Sequence, residues 1–147
     1  MLYEKVKKLK SLVKNSVVFD GAKPAKLDFT NAMLTNSKNA TLPPEYIEFL
    51  KITNGMIIPP YEFYGSEVID RKDYNYKYQS IMEINKTFVQ NKNPLIENRV
   101  VIGNVFFDTI IYDKFDNNYK IVNRINFEII KSFSSFSNLL DYIIESM

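Results

Sequence analysis

The chain contains no cysteine and no histidine, no tryptophan, and only four glycines among 147 residues. Without cysteine there is no disulfide framework and no thiol chemistry, which suits a reducing compartment. Without histidine as well, the usual pairing of a nucleophile with an imidazole base and nearly all zinc sites are excluded. The glycines stand at 21, 55, 65 and 103, too far apart to write a phosphate-cradling P-loop or a dinucleotide-binding fingerprint. No run of about 18 apolar residues exists, and the N-terminus MLYEKVKKLKSLVKN has lysines throughout and no continuous apolar core. Neither a membrane helix nor a secretory signal is expected, and the expected compartment is the cytoplasm. The formal charge of +2 is too small for general attraction to nucleic acid or membrane. It is unevenly spread, with seven lysines against Glu4 and Asp20 in residues 1–26. On an amphipathic helix, such an excess reads first as the solvated face.

What is present describes a folded protein. A hydrophobic content of 46 % with 14 % aromatics lies well away from the composition of disordered chains. The length suits one domain over residues 1–147, with a self-sufficient core. Leu2, Val6, Leu9 and Val13 recur at helical spacing and predict a helix over about 2–14. Val17 to Phe19 reads as a short strand, residues 20–24 as a turn, and Ala25 to Asn36 as a helix in which Phe29 and Met33 fall four apart.

In LPPEYIEFLKITNG, residues 42–55, the prolines fit a first helical turn and Glu45 complements the positive end of the helix dipole. Tyr46, Phe49 and Leu50 share a face. Gly55 can take a left-handed conformation that closes the helix, with Asn54 as its last or capping residue. Residues 62–70 predict one or two short strands broken at Gly65-Ser66, and residues 80–91 a helix carrying Ile81, Ile84 and Phe88. The second half changes character. RVVIG, VFFDTIIYD, YKIVN and EIIKSF are β-branched and aromatic runs separated by Gly103-Asn104 and Asp116-Asn117-Asn118, which argues for an antiparallel meander. Ser134 is placed to cap a last helix whose stripe is Phe136, Leu139, Leu140, Ile143 and Met147. The simplest arrangement burying these faces is an α+β domain, an antiparallel or mixed sheet packed with helices.

Two groups of side chains could carry chemistry or recognition. Asp70 with Asp73, Asp108 with Asp113, and Asp113 with Asp116 are the paired carboxylates that acid-base work or a hard cation would need. Each also has a plain structural reading: Asp113 and Asp116 flank a hairpin turn, where aspartate bonds the local backbone, and Asp70 and Asp73 alternate with basic residues in a polar loop. The second group is DRKDYNYKYQ, residues 70–79. If extended, it sets Tyr74, Tyr76 and Tyr78 on one side. Tyrosine and arginine dominate protein interfaces, aromatics among basic residues can stack on single-stranded nucleic acid, and tyrosines also cover sheet edges.

The stretch 42–55 resembles the hallmark of the SUKH superfamily, which contains the fungal Smi/Knr cell-wall-synthesis regulator and many bacterial immunity proteins. The hallmark elements are Leu42, Pro43, Glu45, Tyr46, Phe49, Leu50, Asn54 and Gly55. Phe63-Tyr64-Gly65, Val101-Ile102-Gly103, FDTIIYD over 107–113, and Ser135-Phe136 follow in the expected order, so the resemblance spans about residues 25–145. One departure stands out: where many members carry Gly-Asp after the strand-end glycine, this chain has Asn104-Val105-Phe106-Phe107-Asp108.

The resemblance implies an α+β fold of helices on a mixed or antiparallel sheet. It also implies a cytoplasmic immunity protein that binds and neutralises a cognate bacterial polymorphic toxin, of nuclease or deaminase type, by stoichiometric protein-protein binding. Such a protein is no enzyme and uses no cofactor or metal, and neither membrane nor direct nucleic-acid binding is expected. Candidate contacts are Arg71, Tyr74, Tyr76 and Tyr78, with Asp108, Asp113 and Asp116 as the alternative patch for a basic toxin. The competing expectation is a regulatory adaptor without a toxin partner.

Overall fold

Apolar residues at helical spacing generate the first element of the computed structural model, which describes residues 1–37, 39–67 and 80–147 in full and the backbone of 69–71 and 76–78. Helix α1 (Leu2–Leu12) buries Val6 and Leu9; Lys7, Lys8 and Lys10 face outward, while the half-buried Lys5 pairs with Asp141 at 2.9 Å. Helix α2 (Pro24–Asn36) starts on a proline, whose missing N–H has no partner to lose in a first turn. Its buried stripe is Leu27, Thr30 and Leu34; Phe29 and Met33, the pair that suggested this helix, stay exposed. Thr30 can enter the core because its hydroxyl donates to the Lys26 carbonyl.

Helix α3 (Pro44–Ile52) buries Tyr46, Phe49 and Leu50 completely. Sinking each ring contributes about 1.5–3 kcal/mol. The helix closes differently from the expectation. Thr53 is its last flanking residue and its N–H bonds the Phe49 carbonyl, so Asn54 does not cap it. Gly55 does take a positive φ of 97°, two residues beyond that cap, where the chain turns into a strand. Helices α4 (Ile81–Gln90) and α5 (Phe136–Glu145) complete the set, with a 3-10 turn at Pro94–Ile96. Ser80 caps α4 by accepting from the Glu83 N–H. The cap of α5 is Ser135, not Ser134: its hydroxyl accepts from the Asn138 N–H, while Ser134 accepts from the Asn138 side chain.

Among the described residues nine strands follow in chain order: β1 (Val17–Val18), β2 (Met56–Ile58), β3 (Tyr61–Phe63), β4 (Ile69–Arg71), β5 (Tyr76–Tyr78), β6 (Arg99–Val105), β7 (Asp108–Asp113), β8 (Asn118–Asn123) and β9 (Ile129–Phe133). Seven form one sheet in the order β1-β2-β3-β6-β7-β8-β9, every neighbour antiparallel, while β4 and β5 pair as a separate ribbon. The α+β class is therefore as expected, and the main sheet is antiparallel. Gly103-Asn104 is not a turn. Strand β6 runs through both residues to Val105, and the reversal falls on Phe106-Phe107. Gly103 sits where β6 slips register against β7 and where β3 comes closest, so that a Cβ would collide with the Glu62 carbonyl oxygen.

Central strands bury consecutive residues, Val100 to Gly103 in β6 and Tyr119 to Val122 in β8, so both faces of the sheet are covered. Directly opposed residues project to one face. On the first lie Phe63, Tyr119 and Phe133, and α3 and α5 close over them: the Phe136 ring packs 5.1 Å from Tyr46, 4.9 Å from Phe49, 5.4 Å from Phe63 and 5.5 Å from Tyr119. Helix α4 lies beside β6, along the part that β3 does not reach. Its buried Asn85 donates to the Val101 carbonyl and accepts from the Val101 N–H, both at 2.9 Å, mimicking a strand beside β6.

Candidate partner-binding surface

The strands bring the connections of the sheet to two ends. At one end lie residues 53–55, the Tyr64-Gly65-Ser66 segment, the β7–β8 turn and the start of α5. At the other lie the β2–β3, β6–β7 and β8–β9 turns, as the pairings Ile58 with Tyr61, Tyr61 with Val105 and Asp108 with Asn123 require.

The first end is tied down by its own side chains. Tyr46 Oη donates to the Tyr64 carbonyl at 2.6 Å, and Asn54 Oδ1 accepts from Ser66 N–H at 2.7 Å and from Ser66 Oγ at 3.1 Å. Glu45 does more than complement the dipole of its own helix. Its carboxylate accepts from the Phe136 and Ser137 N–H groups and from Ser137 Oγ, capping α5 from 91 residues away. Nothing local in the sequence signals that partnership. Tyr119 lies beneath it with a buried hydroxyl that finds no acceptor among the described residues, and burial, with the Glu45 carboxylate adding, pushes its ionisation well up.

Two of the acidic candidates are also tied down at this end. Asp113 is buried, and its Oδ2 lies 3.1 Å from both Arg99 Nε and Lys120 Nζ, while its Oδ1 accepts from the Phe115 N–H. Burial alone would push the carboxyl up, but Lys120, the Phe115 N–H and Arg99 together hold it below the ordinary value of 3.8. Lys120 is buried too; its desolvation is outweighed by Asp116 at 2.6 Å and by Asp113, so its ammonium is held above the usual range. Arg99 also lies 5.1 Å over the Phe115 ring. Asp113 and Asp116 are thus brought together through Lys120. Asp108 does not join them: it stands at the opposite end of β7, about 17 Å away at the strand rise per residue. Among the described residues no three acidic groups gather in a way that could hold a metal ion.

Of the aromatic candidates, Tyr74 lies outside the described residues, as does Asp73. The backbone places Arg71 opposite Tyr76 and Ile69 opposite Tyr78, so Arg71, Tyr76 and Tyr78 belong to one antiparallel ribbon.

The far end contrasts in composition. Phe106 and Phe107 are 75 % and 80 % exposed, Ile125 is 75 % exposed, and Pro59 and Pro60 are exposed beside them. Beneath the two phenylalanines opens a cleft of about 310 Å³, lined by Tyr64, Asn104, Thr109 and Arg124 with Asp108 at its rim. Asn104 Nδ2 donates to Tyr64 Oη at 2.6 Å, which fixes the hydroxyl toward the cleft wall; burial nevertheless pushes the Tyr64 phenol up. Sequence reasoning passed over this patch because VFFDTIIYD reads as one strand, whereas Phe106 takes a positive φ of 52° and ends β6 there. The positive φ has no local sequence signal at phenylalanine. The departure from the SUKH pattern at residues 104–108 was the available clue.

No curated protein matches the chain by sequence. A model of the SMI1 / KNR4 family (SUKH-1) matches residues 31–142, three quarters of its length. The match begins within α2 and ends within α5, so it takes in the whole sheet except β1. No described helix is long and apolar enough to cross a membrane.

Proposed function

The chain belongs to the SMI1 / KNR4 family (SUKH-1), and from that premise we propose that it is an immunity protein. It binds a cognate bacterial polymorphic toxin of nuclease or deaminase type in the cytoplasm, one to one, and covers the toxin's active site or substrate groove without catalysing any reaction itself.

The observation carrying this reading is the turn Phe106-Phe107, two large aromatic side chains held out at the tip of a hairpin whose strands are buried. Exposed apolar clusters mark interaction sites, and aromatic anchors supply most of the energy of protein association, with roughly 2 kcal/mol or more lost when one is truncated. Asp108 and Arg124 rim the same patch and set register and charge preference. Arg71, Tyr76 and Tyr78, on the ribbon, are a second candidate contact, together with Tyr74, which lies outside the described residues. Asp113 and Asp116 belong to the internal ion network and act through it, holding the β7–β8 turn in shape.

The test is co-expression with the toxin-like product of a neighbouring gene. The proposal expects survival, a complex that persists through gel filtration, and loss of both in the Phe106→Ser/Phe107→Ser variant at unchanged stability. Cell death without a complex sinks it. Recovery of an endogenous protein in place of a toxin returns the chain to the regulatory-adaptor role.

A further inference from the structure

The sequence holds one Asn-Gly pair, Asn54-Gly55, and this is the dipeptide most open to attack by a backbone nitrogen on the preceding side chain, because glycine has no Cβ to hinder the approach. In an open chain the Gly55 nitrogen gives up its proton and bonds Asn54 Cγ. Nδ2 takes that proton and leaves as ammonia, and water then opens the resulting succinimide to aspartate or isoaspartate. The fold meets this chemistry at both reacting groups. Gly55 is buried and its N–H donates to the Thr53 carbonyl at 2.7 Å, and φ of Asn54 is not positive, so residues 53–55 form an inverse γ-turn. With ψ at about +65° in such a turn, the Gly55 nitrogen stands anti to Asn54 Cβ across the Cα–C bond, whereas the five-membered ring needs the two eclipsed.

The side chain is held away as well. Asn54 Oδ1 accepts from Ser66 N–H at 2.7 Å and from Ser66 Oγ at 3.1 Å, and the Asn54 N–H donates to the Asp20 carbonyl at 2.9 Å. Gly65 presses on the same residue: a Cβ there would stand 2.2 Å from the Asn54 carbonyl oxygen and 2.6 Å from Oδ1. The two donors on Oδ1 would stabilise the oxyanion of an attack already under way. With the nitrogen turned away, they act only as a clasp. We propose that Asn54-Gly55 is a deamidation site gated by this clasp, silent in the closed fold and reactive only when the 53–55 turn opens and Ser66 lets go. Three hydrogen bonds must open together, each slowing the reaction roughly fivefold, so the folded chain reacts roughly a hundredfold more slowly than the unfolded one. The modification then prevents reclosure. It puts a carboxylate at a position 6 % exposed, in a cavity that Asp20 and Glu67 also line. The isoaspartate form adds a methylene to the main chain two residues ahead of Met56, whose pairing with Val18 and Phe63 sets the register of β1, β2 and β3. None of this rests on toxin binding.

Peptide mapping by mass spectrometry follows the conversion at Asn54 in the purified full chain at mildly alkaline pH, folded and in concentrated urea. The expected result is a rate roughly a hundredfold lower in the folded chain, with Asn54 the first asparagine to react in urea. Ser66→Ala, which removes one donor of the clasp, speeds the folded reaction about fivefold and leaves the rate in urea unchanged. Hydrogen exchange across β6 to β8 that matches the wild type shows that this variant folds, and Asn15-Ser16, whose asparagine is exposed, supplies a reference rate that the substitution does not alter. A folded wild-type chain that deamidates at Asn54 as fast as the unfolded one overturns the proposal. A Ser66→Ala variant that folds and still reacts at the wild-type rate overturns it equally.

Discussion

The two ends of the main sheet differ in what their side chains do. At the end holding Tyr64-Gly65-Ser66 and the start of α5, nearly every polar group has an internal partner: Asn54 holds Ser66, Glu45 holds α5, and Asp113 is shared by Arg99 and Lys120. At the far end, the β8–β9 turn is held by Asn123 and Asn126, which accept from neighbouring N–H groups, while the turns of proline and phenylalanine project outward with exposed side chains. The elements that carry the SUKH resemblance fall largely in the first group, and the departure at residues 104–108 falls in the second. An interaction surface set apart from the scaffold can change without disturbing it.

If the bonded end is scaffold, damage there costs stability. Phe49→Ala is expected to lose about 3–5 kcal/mol, because it removes a fully buried ring from the Phe136 cluster. Chemical denaturation measures this, and a loss below about 1 kcal/mol means that the cluster is not the core. Asp113→Asn should cost about 3 kcal/mol by leaving Lys120 and Arg99 with a neutral neighbour. It also carries a pH signature. The folded carboxyl is held below 3.8, so its stabilisation is complete above the ordinary value and disappears as the pH falls through the lowered one. The variant should therefore lose part of the acid limb seen in the wild type when unfolding is followed from neutral pH downward.

Glu45→Gln is expected to cost less, on the order of 1 kcal/mol, since the amide oxygen still accepts one hydrogen bond from the end of α5 but without charge. Hydrogen exchange at Phe136 and Ser137 should quicken selectively. The smallest effect on stability belongs to the tip: Phe106→Ser/Phe107→Ser is expected to stay within about 0.5 kcal/mol of the wild type. Equal destabilisation at both ends would erase the distinction between them.

Much of this division was legible in the sequence. Helical spacing located α1, α3, α4 and α5, and β-branched runs located β6 to β9, because both signals reflect burial along one face of a single element. Strand β2 escaped notice, since three residues between Asn54-Gly55 and Pro59-Pro60 are too few to display a period. The spacing of Phe29 and Met33 located α2 but not its buried face: threonine enters a core when it can bond its own helix, as Thr30 does, while Phe29 remains outside. At the hairpin, Asp113 and Asp116 were correctly set beside the turn. Their capture by Lys120 and Arg99 depends on cross-strand register, in particular Arg99 opposite Asp113, which a linear reading does not supply. The exposed Phe106-Phe107 turn was hidden because its residues are strand formers by preference, and the reversal is imposed from outside by the pairing of β6 with β7.

Glu45 and Phe136 also bear on the order of events during synthesis. The ring that fills the space between Tyr46, Phe49, Phe63 and Tyr119 belongs to residue 136, and the carboxylate that anchors its helix belongs to residue 45. A nascent chain that has released α3 and most of the sheet from the ribosome still has an open core. That core closes only when α5 follows, because the Phe136 ring and its anchor at Glu45 lie 91 residues apart in the chain.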